Sequence, residues 1–130
     1  MSQENVEIAR RFYDQLFETG EPLWGVLGAE IEVHDHDVPD AGPYLGPIGV
    51  TSWVNNWGQA FEGTEIDLKR LVDAGDRVVS LFRMRATGRR SGVSIERKDA
   101  IVSTFRDGKV TRIDYYNNQS QALEAVGLSE

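Results

Sequence analysis

Between residues 64 and 117, four alternating apolar–polar stretches follow one another with hardly any chain between them. They run Thr64–Ala74, Arg77–Thr87, Val93–Phe105 and Lys109–Asn117. The joints are Ala74-Gly75-Asp76, the loop from Gly88 to Gly92, and Asp107-Gly108, the last a dipeptide suited to a tight hairpin. Such spacing predicts an antiparallel meander. Within its first strand Ile66 and Leu68 alternate, but the next apolar residue is Leu71. That slip of one position predicts a β-bulge, which bends the strand and curves the sheet.

A curved sheet has a concave side that something must cover. The residues before the meander supply helices. Val6, Ile8, Ala9, Phe12, Tyr13, Leu16 and Phe17 fall on one half of a helical wheel over Ser2 to Thr19, with Glu4, Glu7, Arg11, Asp14 and Glu18 opposite. Ser2 is placed to cap that helix, and Gly20 to end it. A short second helix is expected from Pro22, carrying Leu23, Trp24, Val26 and Leu27. Ala29 to Asp37 alternates as a strand, with Ile31, Val33 and Asp35 on one face and Glu30, Glu32 and His34 on the other. After a Pro- and Gly-rich loop from Pro39 to Gly46, Pro47 opens a third helix. In it Val50, Trp53, Val54, Trp57 and Phe61 recur, and Gly63 is expected to end it. A last helix is expected over Ser120 to Val126.

Helices followed by a curved antiparallel sheet make an α+β domain, with the N-terminal helices closing the sheet into a cone. The 130 residues suffice for a single domain with one core. Trp53, Trp57 and Phe61 exceed what a flat two-layer core needs, which points to an apolar pocket for a small hydrophobic molecule.

Composition narrows the function. A net charge of −7 would repel nucleic-acid phosphates and anionic lipid, so neither is an expected partner. No stretch approaches the about 20 apolar residues of a membrane span, and Met1 to Arg11 lacks the apolar core of a secretory signal. The absence of cysteine removes disulfides and thiolate chemistry and suits a cytoplasmic location.

The order of elements resembles the nuclear-transport-factor-2-like superfamily, and local phrases resemble its SnoaL-like branch. These phrases are Ala9-Arg10-Arg11-Phe12-Tyr13-Asp14, Gly42-Pro43-Tyr44-Leu45-Gly46 with Gly49-Val50, and Asp73-Ala74-Gly75-Asp76-Arg77-Val78-Val79. To them are added Thr104-Phe105-Arg106-Asp107-Gly108-Lys109-Val110 and Ala122-Leu123-Glu124-Ala125-Val126-Gly127-Leu128. The resemblance covers Glu4 to Leu128. It implies a fold shared by polyketide cyclases, ketosteroid isomerases, limonene-epoxide hydrolases, dehydratases and non-catalytic binders. The enzymes among these use a carboxylate at the end of the first strand as a general base and need no cofactor.

By that resemblance Asp35 is the candidate base. Tyr13, beside Phe12 on the first helix, is the candidate oxyanion donor. The expected ligand walls are Phe12, Val33, Trp53 and Trp57, then Phe82, Met84 and Ile101 from the meander. Asp99, Tyr115 and Asn117 are the expected polar contributors. Several absences set the chain apart. Ile101 stands where the isomerases carry a second acid and many SnoaL-like relatives a histidine. Phe82, Met84 and Tyr115 stand where the hydrolases carry their aspartate–arginine–aspartate set. Arg97 and Asp99, two apart on one strand face, are expected to pair as a salt bridge. His34 and His36 are expected to look outward and to pair with carboxylates, with no metal site assigned.

On the outer sheet face Val79 and Leu81 stand beside Arg83, Arg85, Arg112 and Asp114, a surface suited to a homodimer. Two functions fit this reading. One is a cofactor-free acid–base enzyme, a cyclase, isomerase or dehydratase acting on a hydrophobic carbonyl compound. The other is a non-catalytic ligand-binding or dimeric interaction module.

Overall fold

The computed structural model describes residues 2–38 and 42–128, and the side chain of Ser2 is outside that description. The expected cap by Ser2 and residues 39–41 of the Pro- and Gly-rich loop therefore lie outside the described residues.

Helix α1 (Ser2–Thr19) ends as its sequence predicts: Gly20 has φ +78° and returns its N–H to the Leu16 carbonyl at 2.8 Å. The segment expected to start a second helix at Pro22 makes only a 3₁₀ turn, Trp24–Val26. Leu27 leaves it directly into strand β1 (Leu27–Asp35). This strand starts and stops two residues earlier than the alternation suggested. It stops because Asp35 builds a turn: its Oδ1 accepts the Asp37 N–H at 3.0 Å, and its carbonyl accepts from Val38 at 3.2 Å.

A two-residue strand β2 (Tyr44–Leu45) precedes α2 (Gly46–Ala60). Gly49 lets the two meet, because a Cβ there would stand 2.6 Å from the Tyr44 carbonyl carbon. The helix does not run on to Gly63. Strand β3 (Phe61–Ala74) begins at once, and Gly63, at φ +61°, sits in a register shift between Glu62 and Glu65. Glycine here serves a bulge rather than a helix end. The expected bulge is present as a second shift, between Leu68 and Arg70.

Strands β4 (Arg77–Gly88), β5 (Ser94–Arg106) and β6 (Lys109–Tyr116) complete the antiparallel meander. Asp107 at φ +51° and Gly108 at φ +76° form the tight turn between the last two. Among the described residues the sheet has six strands in the order β2-β1-β6-β5-β4-β3. It is mixed rather than wholly antiparallel, because β1 runs parallel to β6, placing Val33 opposite Ile113 and Asp35 opposite Tyr115.

The two sheet faces carry separate cores. On the inner face α1 and α2 deliver Phe12, Tyr13, Val50 and Trp53 onto Val33, Phe82, Met84 and Ile101. On the outer face α3 (Gln119–Ala125) sets Ala122 and Leu123 onto Val79, Leu81, Ala100 and Val102. Asn118 caps α3, its side chain accepting the Gln121 N–H at 3.1 Å. Val79 and Leu81, expected to stand open on this face, lie under the chain's own last helix. What remains open on that face is charged: Arg83 and Arg85 face Glu96, and Arg112 pairs with Asp114 at 2.9 Å. Among the described residues no helix is long and apolar enough to cross a membrane.

Candidate functional site

Between α1, α2 and the inner face of the sheet lies a cavity of about 220 Å³. Its construction follows from spacing. Trp53 and Trp57 are one helical turn apart, so both indoles leave α2 on the same side. Phe82 and Met84 alternate along β4 and point the same way, toward Ile101 and Tyr115 of the neighbouring strands. Leu16 and Phe17, from the last turn of α1, and Ile66 of β3 complete the apolar wall. The rings meet at angles rather than face to face, with Trp57 and Tyr115 centroids 5.0 Å apart and Phe82 and Tyr115 5.9 Å apart.

Asp35 faces inward and is only 7% exposed, but it is not on the cavity wall. It stands behind the indoles. Its Oδ2 accepts both the Trp53 N–H at 2.9 Å and the Trp57 N–H at 3.0 Å, and its Oδ1 holds the Asp37 turn. A single carboxylate thus fixes two aromatic walls. Tyr13 is likewise absent from the wall. Wholly buried under α1, its hydroxyl meets Ser103 Oγ at 2.5 Å, and burial pushes its pKa up.

The remaining expected residues divide. Trp53, Trp57, Phe82, Met84, Ile101 and Tyr115 line the cavity. Phe12 and Val33, both at 0% exposure, pack into the core beyond it, because their positions on α1 and β1 lie beneath the layer that touches the hollow. Asn117 is exposed and reaches Asp37 Oδ1 at 2.6 Å, since the sheet has ended by that point. Asp99 sits one layer behind Tyr115, completely buried, and accepts the Tyr115 hydroxyl on Oδ2. The same oxygen accepts from Arg97 at 2.7 Å, and Arg97 also reaches Asp37 at 3.2 Å.

This makes a chain of polar groups, Tyr115–Asp99–Arg97–Asp37, running from the wall outward. Burial opposes the Arg97 charge, but hydrogen bonding to Asp99 and the attraction of Asp99 and Asp37 outweigh it and raise the guanidinium pKa. For Tyr115, burial and then the Asp99 charge and hydrogen bond all work against the phenolate, so its pKa is raised too. Among the described residues, Asp99 Oδ1 and Arg97 Nε are buried with no hydrogen-bond partner.

Sequence reasoning missed Leu16, Phe17, Val54 and Ile66 on the wall, although each lies on an apolar face that the periodicity marks. Gly20, Gly58 and Thr64 at the mouth carry no signal in the sequence.

The two histidines lie away from the cavity. His34 Nε2 meets Glu32 Oε1 at 2.9 Å. His36 Nε2 meets Asp114 Oδ1 at 2.8 Å while its ring stacks on Tyr116 at 4.5 Å. Burial opposes the charge on Asp114, but hydrogen bonds from Arg112 and His36 prevail and lower its pKa. Among the described residues no three His, Cys, Asp or Glu side chains converge as a metal site would require.

Residues 9–113 match the family model of the SnoaL-like domain. Among solved structures, an NTF2-like protein of unknown function from Burkholderia pseudomallei superposes with a TM-score of 0.77 at 16% identity, covering 95% of this chain and 98% of that one. TerC, co-crystallised with polyporic acid, gives 0.75 at 20% identity, covering 95% and 98%. An NTF2-like protein from Burkholderia xenovorans gives 0.72 at 23% identity, covering 95% of each chain. At these identities the likeness speaks for the fold alone. No curated protein matches the sequence. A family match over most of the chain, on a helix-covered six-stranded sheet with a hollow beneath its helices, places the protein in the SnoaL-like domain family.

Proposed function

We propose that this protein binds a small apolar molecule, of one or two rings, in the cavity under α1 and α2. The observation that supports this most is the wall itself, built from apolar and aromatic side chains around about 220 Å³. A dry apolar cavity of roughly 150 Å³ holds benzene, while sites for drug-sized ligands begin near roughly 300 Å³. The space here lies between the two. TerC, a structural neighbour crystallised with polyporic acid, adds support that a fold of this shape receives a small organic ligand.

Binding is favoured over base chemistry by the state of the carboxylates. An acid–base enzyme of the kind the resemblance implies needs a carboxylate free to meet its substrate. Both Asp35 oxygens are engaged and the indoles stand in front of them.

A thermal-shift measurement with indane, a two-ring hydrocarbon, tests the proposal. Ligand at about 100 times its Kd stabilises a folded protein by about 2.7 kcal/mol, so the wild type should melt several degrees higher. A Val54→Trp variant, whose added rings occupy the hollow, should show no shift. Equal shifts in both proteins, or none in either, would count against the cavity as the binding site.

A further inference from the structure

The cavity's polar groups face the wrong way for a carbonyl. Among the described residues, four wall side chains can donate a hydrogen bond: Trp53, Trp57, Thr64 and Tyr115. Both indole N–H groups are committed to Asp35 Oδ2. The single proton of the Tyr115 hydroxyl is committed to Asp99, a completely buried carboxylate. Thr64 is exposed and stands at the mouth. What the interior retains is acceptor capacity, because a phenol that donates its proton still holds lone pairs on oxygen. The hydroxyl of Tyr115 lies 3.9 Å from the sulfur of Met84, a wall residue, and that sulfur is a weak acceptor at best. Arg97 Nε has no partner among the described residues, yet Arg97 is not part of the wall.

We infer that the cavity is specific for apolar ligands bearing a hydroxyl, a phenol, enol or alcohol that donates to Tyr115, and that it rejects the ketone of the same skeleton. This rests on the proposed binding role of the cavity. The physical ground is asymmetry. A carbonyl oxygen entering the hollow exchanges its hydrogen bonds with water for none, while a hydroxyl entering finds one acceptor. The arrangement is maintained from behind: Asp99 is held as an acceptor by Arg97 at 2.7 Å, so it keeps drawing the Tyr115 proton away from the cavity.

Calorimetric titration of the wild type with indane, indanol and indanone reads this directly, since the three share a skeleton and differ at one group. Indanol should bind at least about tenfold more tightly than indanone, a gap of about 1.4 kcal/mol. In Tyr115→Phe the gap should close to within about twofold, because neither oxygen then meets a partner. Indanone binding as tightly as indanol in the wild type would overturn the inference, and indane binding in the same experiment would leave the cavity's binding role standing. Failure of all three to bind would remove both. The wild-type ratio decides by itself, whether or not the Tyr115 variant folds.

Discussion

Replacing Asp35 by alanine should destabilise the protein by about 2–4 kcal/mol, and the figure follows from what the carboxylate holds. Two indole N–H groups bond to one oxygen at 2.9 and 3.0 Å. Trp53 is 4% exposed, so its N–H, once abandoned, has no access to water and incurs the full penalty of a buried orphan donor, about 1–3 kcal/mol. Trp57 is half-buried beside the cavity, so water can replace part of its lost bond. Relief from burying the carboxylate offsets some of the loss, which keeps the total below the sum of two charge-assisted bonds at about 1.5–3 kcal/mol each. Asp35→Asn keeps an oxygen acceptor without the charge and should lose about half as much. Urea unfolding followed by far-UV circular dichroism measures both variants against the wild type without relying on the tryptophans whose surroundings change. The m-value should stay constant, since the same surface unfolds. If Asp35→Ala lies within about 0.5 kcal/mol of the wild type, the two bonds do not hold the cavity wall and the reasoning fails.

Two further outcomes follow from buried groups and close approaches. Tyr13 and Tyr115 both have pKa values raised by burial. Their phenols therefore keep their protons in the folded state at a pH where the unfolded chain releases them. Stability should be unaffected below about pH 10 and fall above it by about 1.4 kcal/mol per pH unit for each of the two. Urea unfolding between pH 9 and pH 11 checks this, and a flat profile would contradict it. Gly49→Ala should destabilise by about 1–3 kcal/mol, because the new methyl meets backbone at 2.6 Å and α2 must move off Tyr44. A change in melting temperature of less than a degree would contradict that.

Much of the fold was legible because its signals are local. Ala74-Gly75-Asp76 and Asp107-Gly108 each determine a turn within a few residues, and the slip between Leu68 and Leu71 marked a bulge that the strand pairing contains. The parallel contact of β1 with β6 was not legible. Alternation at Ile31, Val33 and Asp35 says which side chains share a face, not which of the later strands lies alongside. Tyr44–Leu45 is too short to show a period at all.

The site shows the same division. Parity correctly turned Asp35 inward, but parity gives a direction and not a depth. Whether a side chain reaches the hollow or packs behind its wall depends on what stands in front, and here Trp53 and Trp57 do. Phe12 and Val33 share the inward direction too, yet both are fully buried in the core and absent from the wall. Val79 and Leu81 looked like surface because α3, which covers them, comes last in a row of elements whose docking the sequence does not show.

The central claim is that the hollow lined by Ile66, Met84 and Ile101 takes up a small apolar molecule. Methyl NMR of the protein titrated with indane addresses it most directly. Ile66, Met84 and Ile101 should shift together and saturate with one affinity, while Ile48, 84% exposed on the far side of α2, should not move. Unchanged cavity methyls, or shifts confined to Ile48, would contradict the account.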